Sequence, residues 1–412
     1  MAKKKGLIVQ KYGGSSVKDA AHIKNVARRV VKKKKLGNNV VVVVSALGGT
    51  TDALVALAGQ LTKNPRDREM DMLLATGEQV SIALLAMAIH DLGEEAVSFT
   101  GYQVGIQTDP SHTQARIMDI DTKKMYKALK VHGIVIVAGF QGITPDNEIT
   151  TLGRGGSDLT AVALAAALKS DRCEIFTDVD GIFTTDPRIV KDARKIDSIC
   201  YEEMLELASL GAKVMHSRSI EVADKYNVPL YVGNSKNYGK GTLITREDKG
   251  MEQVLVRGVA LNENEAKITI VGVPDKPGVA ARIFKTIAEA KINVDMIIQN
   301  KTTTKTTDIS FTIPQTGLKK AVKVIKDVAK KIKASDVITD EKIAKISVVG
   351  VGMRSHSGVA YMLFDALAKA KINIDMISTS EIKISCVIDI AKGKSAVKVL
   401  HNVFGLAKKK KK

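Results

Sequence analysis

The sequence predicts an α/β protein in two parts: a three-layer αβα domain with a mostly parallel sheet over residues 1–245, then two small βαββαβ units. Three observations carry this. Strand-like and helix-like segments alternate through the first part, the pattern of helices layered on a parallel sheet. Five consecutive valines, Val40–Val44, suit a strand buried on both faces. The last part repeats itself. Lys267–Val273 returns as Lys345–Val351, Pro277–Ala280 as Ser357–Ala360, and Ala290–Ile297 as Ala370–Ile377.

Taken in order, the expected strands are Leu7–Lys11, Val40–Ala46, Ile134–Phe140, Glu174–Asp178 and Leu230–Gly233, each a short apolar or β-branched run. Between them, apolar residues spaced by three and four predict helices over Ala20–Lys35, Met72–His90, Asp158–Lys169 and Glu202–Leu210. Residues 246–265, with Arg246, Glu247, Asp248, Lys249 and Gly250, interrupt the pattern and read as a linker. The repeated units then occupy residues 266–340 and 341–412, the second ending in a basic tail.

Composition narrows the function. The chain has 412 residues and a net charge of +19, but much of the lysine lies in the clusters Lys3–Lys5, Lys32–Lys35 and Lys408–Lys412. Aromatic residues make up 4% and tryptophan is absent, so stacking platforms for single-stranded nucleic acid are not evident. Nucleic acid is therefore not an expected partner. No apolar run approaches the roughly 20 residues of a membrane span. No signal-peptide pattern opens the chain, and a cytoplasmic protein is expected. Cys173, Cys200 and Cys386 lack metal-ligand or disulfide spacing.

The chemistry-bearing residues sit at strand ends. Lys11-Tyr12-Gly13-Gly14-Ser15-Ser16 follows the first strand, where glycine amides form an anion nest beside a lysine charge. Ser45-Ala46-Leu47-Gly48-Gly49-Thr50-Thr51 ends the second. Gly153-Arg154-Gly155-Gly156-Ser157-Asp158 opens an Ala/Leu-rich helix, with Ser157 as the expected N-cap, Asp158 in the first turn and Arg154 suited to grip a carboxylate. Thr177–Arg188 is dense in acidic and hydroxyl groups and suits a ribose or Mg-phosphate contact, with a plain Asp-Gly hairpin as the alternative. No protein side-chain metal site is expected.

Together with Met70–Glu78 and Ser98–Gly101, these segments resemble aspartate kinases of the amino-acid kinase superfamily, from about Leu7 to Phe404. The repeat resembles the tandem ACT modules, ferredoxin-like in fold, of the monofunctional, feedback-inhibited members. The resemblance implies ATP with Mg²⁺, L-aspartate as acceptor, and lysine and/or threonine as effectors. It implies a homo-oligomer joined through the ACT modules, with a separately translated ACT subunit starting near Met251 left open. Lys11, Lys213, Asp158 and Arg154 would be catalytic. Lys11, Tyr12, Gly13, Gly14, Ser15, Ser45, Thr177, Asp178, Phe183, Asp186, Pro187, Arg188 and Lys213 would form the nucleotide side. Thr51, Glu78, Arg154, Gly155, Gly156 and Ser157 would hold aspartate, Arg154 at its α-carboxylate and Glu78 at its amino group. Asp275, Gly278, Val279, Ala280, Asn293, Val294, Asp295, Gln299, Asn373, Ile374, Ser380 and Glu381 would bind effector. The chain departs from the family where His216-Ser217-Arg218 and His356-Ser357-Gly358 lack the usual central proline. A kinase of another acceptor and a catalytically silent amino-acid sensor are the competing readings. Against them stand the tandem repeat and Glu78 segment, and the intact lysines with Arg154 and Asp158, respectively.

Overall fold

A computed structural model describes residues 5–210, 214–246, 255–301 and 306–408. These form two compact units, one holding residues up to 183 with 195–209 and 214–246, the other holding 184–194, Leu210 and the chain from 255 onward. Lys213 and Met251 lie outside the described residues.

The strands of the first unit are β1 (Leu7–Tyr12), β2 (Asn39–Val44), β3 (Val97–Phe99), β4 (Ile106–Thr108), β5 (Ile117–Ile120), β6 (Ile134–Ala138), β7 (Gln141–Ile143), β8 (Ile149–Thr151), β9 (Arg172–Thr177), β10 (Ser198–Cys200), β11 (Leu230–Asn234) and β12 (Thr242–Thr245). Its helices are α1 (Ala20–Lys35), α2 (Thr50–Leu61), α3 (Asp67–Leu74), α4 (Thr76–His90), α5 (Lys123–His132), α6 (Gly156–Ala167), α7 (Tyr201–Ser209) and α8 (Ser217–Lys225). Among the described residues the main sheet runs β10-β12-β11-β9-β1-β2-β6-β3. Every pairing in it is parallel except β11 with β12. A small sheet, β5-β4-β7-β8, stands apart.

Burial explains the valine run. Val40–Val44 are all fully buried. Val40, Val42 and Val44 join Ile134, Ile136 and Ala138 against α1 and α4, through Ile23, Val26, Val30, Leu85 and Ile89. The opposite face is covered by α6, which packs on β1, β2 and β9 and is buried from Gly156 to Ala165. That double cover makes the alternate Val41 and Val43 apolar as well. The helical stretch Asp67–His90 is long and apolar enough by composition to span a bilayer, a feature missed in the sequence. Much of that apolarity belongs to the core, since Ile82, Leu85 and Ile89 pack against the sheet.

The second unit carries the repeat. Its strands are β13 (Gly258–Asn262), β14 (Glu265–Pro274), β15 (Ile297–Lys301), β16 (Thr306–Pro314), β17 (Asp336–Asp340), β18 (Ile343–Val349), β19 (Met376–Thr379) and β20 (Lys383–Asp389), and its helices α9 (Val279–Glu289), α10 (Leu318–Ile332), α11 (Val359–Lys369) and α12 (Gly393–Val403). The first module is contiguous, with sheet order β15-β16-β14-β17. In the second, β19-β20-β18 is completed by β13, from the stretch expected to be linker, which pairs antiparallel with β18 from Gly258↔Val349 to Asn262↔Lys345. The first module is thus inserted in sequence between β13 and the remainder of the second. Residues 184–194 also belong here. Thr184 is buried with its hydroxyl 3.0 Å from His401 Nε2 and 3.1 Å from the Leu406 carbonyl, and Lys408 N–H donates to Asp192 O.

Candidate active site

Parallel strands β1, β2, β6 and β9 deliver their carboxyl ends to one edge of the sheet, where open α/β sheets bind ligands. After β1 the chain turns tightly at Gly14–Ser16, with Ser16 N–H bonded to Gly13 O at 2.8 Å. A Cβ on Gly14 would lie 2.8 Å from Ala46 O, so glycine is what lets the turns after β1 and β2 meet. Tyr12 is fully buried, its ring stacked on Phe176 at 5.0 Å, and its carbonyl accepts Ser45 N–H. It supports the site from beneath rather than offering its ring to a ligand.

Lys11 reaches across to α6. Its Nζ lies 2.6 Å from Asp158 Oδ1, with the two side chains 13% and 10% exposed. A charge pair so nearly enclosed is held in one geometry, which a flexible surface lysine is not. The expectation that Ser157 caps α6 is corrected. The cap is Gly155, in the left-handed region at φ 71°, and Ser157 lies within the first turn. Its hydroxyl is therefore available to accept from Ser45 Oγ at 2.9 Å. Thr51 stands half-buried in the first turn of α2, and Arg154 is exposed beside Gly155.

Glu78, buried in the first turn of α4, accepts the Ala46 N–H through Oε1 at 3.0 Å. Its Oε2 has no hydrogen-bond partner among the described residues. Burial pushes its carboxyl up to about 7, against the pull of that backbone hydrogen bond.

On the other side of β1, Thr177 Oγ1 donates to Asp178 Oδ1 at 3.0 Å, and Asp180 accepts from Asn234 and Asn237, which hold its carboxyl below the usual range. Phe183 is half-buried and bridges to Lys195. Asp186 is clamped by Arg188 (Nε 3.0 Å to Oδ1, Nη2 2.7 Å to Oδ2), and with Pro187 this pair is carried by the second unit. No group of three or more His, Cys, Asp or Glu side chains suited to a metal ion occurs among the described residues.

Sequence reasoning missed several supports. Arg29 lies 4.0 Å over the Phe176 ring and donates to Asn234 O and Asn237 O. Asp71, wholly buried, accepts from Thr113 N–H and the Thr151 hydroxyl and lies 2.8 Å from His112 Nδ1. A lone acid in an apolar helical pattern was the available signal for Asp71. Nothing local marked Arg29.

In the second unit, a cavity of about 330 Å³ is lined by Asp275, Gly278, Val279, Ala280 and Gln299, all expected effector residues. Asn293, Val294 and Asp295 do not line it. Asp295 instead pairs with Lys345 of the other repeat copy, and the equivalent Asp375 pairs with Lys267. The repeat thus makes two reciprocal lysine–aspartate contacts between its modules. Asn373, Ser380 and Glu381 are exposed, Ile374 is half-buried, and Glu381 meets Arg354 at 3.0 Å.

Comparison with known proteins gives the family. Residues 6–234 match the amino acid kinase family, and residues 268–328 and 346–404 each match the ACT domain. The chain is 54% identical to an aspartate kinase of Pseudomonas putida, covering 97% of this chain and 98% of that one. It is 53% identical to an aspartokinase of Geobacillus stearothermophilus, covering 98% of each. Among solved structures, aspartokinase III of E. coli in complex with aspartate and ADP superposes with TM-score 0.79 at 27% identity, over 96% of this chain and 99% of that one. The same enzyme with lysine and aspartate gives TM-score 0.73.

Proposed function

The chain belongs to the amino acid kinase family, among its aspartate kinases with tandem ACT domains, and from that premise we propose how its residues transfer the γ-phosphoryl group of ATP to the side-chain carboxylate of L-aspartate. One observation carries the assignment of roles: the enclosed Lys11–Asp158 pair stands at the strand edge with the glycine turn after β1 on one side and the Ser45–Ser157 pair on the other. The phosphates lie along Gly13, Gly14 and Ser15, with Lys11 against the transferring group and Lys213 as the second phosphate lysine. Thr177, Asp178, Phe183, Asp186, Pro187 and Arg188 serve the nucleotide side. Aspartate sits among Thr51, Glu78, Arg154 and the Gly155–Ser157 turn, its α-carboxylate on Arg154 and its ammonium on the Glu78 carboxylate.

The acceptor carboxylate is ionised at neutral pH and needs no general base. One of its oxygens attacks the γ-phosphorus. The bond to the β,γ-bridging oxygen breaks, ADP leaves, and 4-phospho-L-aspartate forms. The obstacle is repulsion between two anions, which Lys11 and the glycine amides relieve where charge accumulates. Asp158 keeps the Lys11 ammonium on that spot. Asp158 is engaged by Lys11, and Mg²⁺ would be held through the phosphates, neutralising their charge.

The cavity beside Gly278 receives an amino-acid effector, lysine or threonine, and couples to the kinase by favouring one of two conformations. The enzyme acts in the cytoplasm as a homo-oligomer joined through its ACT domains, with the kinase domain over 1–245 and the modules over 266–340 and 341–412.

ADP release with Mg-ATP and L-aspartate tests this, using Lys11→Ala and Arg154→Ala and adding lysine and threonine singly and together. Aspartate-dependent turnover that Lys11→Ala abolishes, that Arg154→Ala weakens through a raised aspartate KM, and that effector suppresses is expected. Turnover that persists in Lys11→Ala refutes the phosphate role. Turnover indifferent to both amino acids refutes the effector assignment alone.

A further inference from the structure

The Gly153–Gly155 loop that presents Arg154 is wedged between two segments. A Cβ on Gly153 would lie 3.0 Å from Thr113 O, and one on Gly155 only 2.3 Å from His216 Cβ. Both glycines are left-handed, at φ 76° and 71°. Two charged side chains from distant helices fasten the residues that lead into the loop and the segment beside it. Arg218, half-buried near the start of α8, spreads its fork over two carbonyls: Nη1 is 2.8 Å from Leu152 O and Nη2 3.0 Å from Ala115 O. Leu152 is the residue before the loop, and Ala115 N–H bonds Thr151 O at 2.9 Å. On the same two segments Asp71 accepts Thr113 N–H at 3.0 Å on both carboxylate oxygens, and the Thr151 hydroxyl donates to it. The chain enters the loop with Thr151 and Leu152, and the neighbouring Thr113–Ala115 segment, pinned.

We infer that Arg218 and Asp71 are positioning residues for the acceptor site: together they set the Gly153–Gly155 loop so that Arg154 meets the α-carboxylate of the amino-acid substrate. Arg218 places two of its donors on neutral carbonyls. Its planar fork can span two carbonyls at once, which a lysine ammonium does less rigidly. Guanidinium recognition of a carboxylate is sensitive to placement, and a shift of about 1 Å can cost up to about 100-fold. Loss of either clamp therefore weakens acceptor recognition and leaves the nucleotide side, on the other flank of β1, intact.

The inference rests on the reading of Arg154 given above, and the test separates the two. Arg218→Lys and Thr151→Val, which removes the donor to Asp71 at nearly constant shape, are assayed for the KM of aspartate and of ATP separately, alone and in the Arg154→Ala background. Each is expected to raise aspartate KM about tenfold with ATP KM unchanged within about twofold. In the Arg154→Ala background the same changes are expected to add less than about twofold, because the group they position is gone. If Arg154→Ala leaves aspartate KM unchanged, the reading of Arg154 fails. If Arg154→Ala raises it but the clamp variants do not, or their effects add in full, or both KM values rise together, the positioning role is overturned. Where Arg218→Lys does not fold, Thr151→Val carries the same decision.

Discussion

Glu78 gives the sharpest quantitative test. With its carboxyl raised to about 7, it is about one-tenth ionised at pH 6 and about nine-tenths at pH 8. If only the carboxylate pairs with the substrate ammonium, kcat/KM for aspartate should rise about tenfold over that interval in the wild type. Glu78→Gln keeps the acceptor facing Ala46 N–H but cannot ionise, so its profile should lack this rise and run at the low-pH level throughout. Stability supplies an independent reading of the same group. Folding raises the proton affinity of this carboxyl from an ordinary 4.5, so the folded state holds the extra proton between about pH 4.5 and 7. Stability is therefore lost as pH climbs through that window and is constant above it. Between pH 5.5 and 8 the wild type should lose about 2 kcal/mol relative to Glu78→Gln, measured by urea unfolding of the full chain. A wild-type aspartate profile that stays flat from pH 6 to 8, or a Glu78→Gln profile that keeps the same slope, would refute the reasoning.

Other perturbations probe neighbouring links. Asp158→Asn should lower kcat about 100-fold, because the Lys11 ammonium loses the carboxylate 2.6 Å away that holds it; single-turnover kinetics with unchanged ATP affinity would check this. Gly155→Ala places a Cβ 2.3 Å from His216 Cβ and forces alanine into the left-handed region at roughly 1–2 kcal/mol, so aspartate KM should rise, and adding His216→Gly should recover the steric part but not the backbone part. Lys345→Met leaves the buried Glu265 without its ammonium and should cost about 3 kcal/mol in urea unfolding. The pseudo-equivalent Lys267→Met, whose aspartate partner is 43% exposed, should cost less than about 1 kcal/mol, and equal losses would show that burial does not govern the pair.

Much of this architecture could be read before the fold was known, and the reason lies in the range of the signals. Val40–Val44 announced a doubly covered strand through side-chain type alone, and the duplicated Lys267–Ile297 and Lys345–Ile377 segments announced two modules by simple recurrence. The glycine turns and Arg154 were visible as candidates because phosphate and carboxylate chemistry favours those residue types at strand ends. Ser157 was misassigned as a cap because its residue type fits that role, whereas the left-handed Gly155, two residues earlier, takes the position. Asp295 was read as an effector contact, but its pairing with Lys345 depends on a module 50 residues away.

What the chain order determined by itself was therefore local: which segments become strands and helices, which residues carry charge at their ends, and that one unit is repeated. Tertiary structure alone decided what meets across distance. It brought Lys11 to Asp158, let Gly14 touch Ala46, raised Glu78 by enclosing it, and completed the second module's sheet with β13 from ahead of the first. The physical reason is that backbone conformation and amphipathic pattern act over a few residues. Burial, ion pairing and sheet order depend on neighbours that folding brings together from far along the chain.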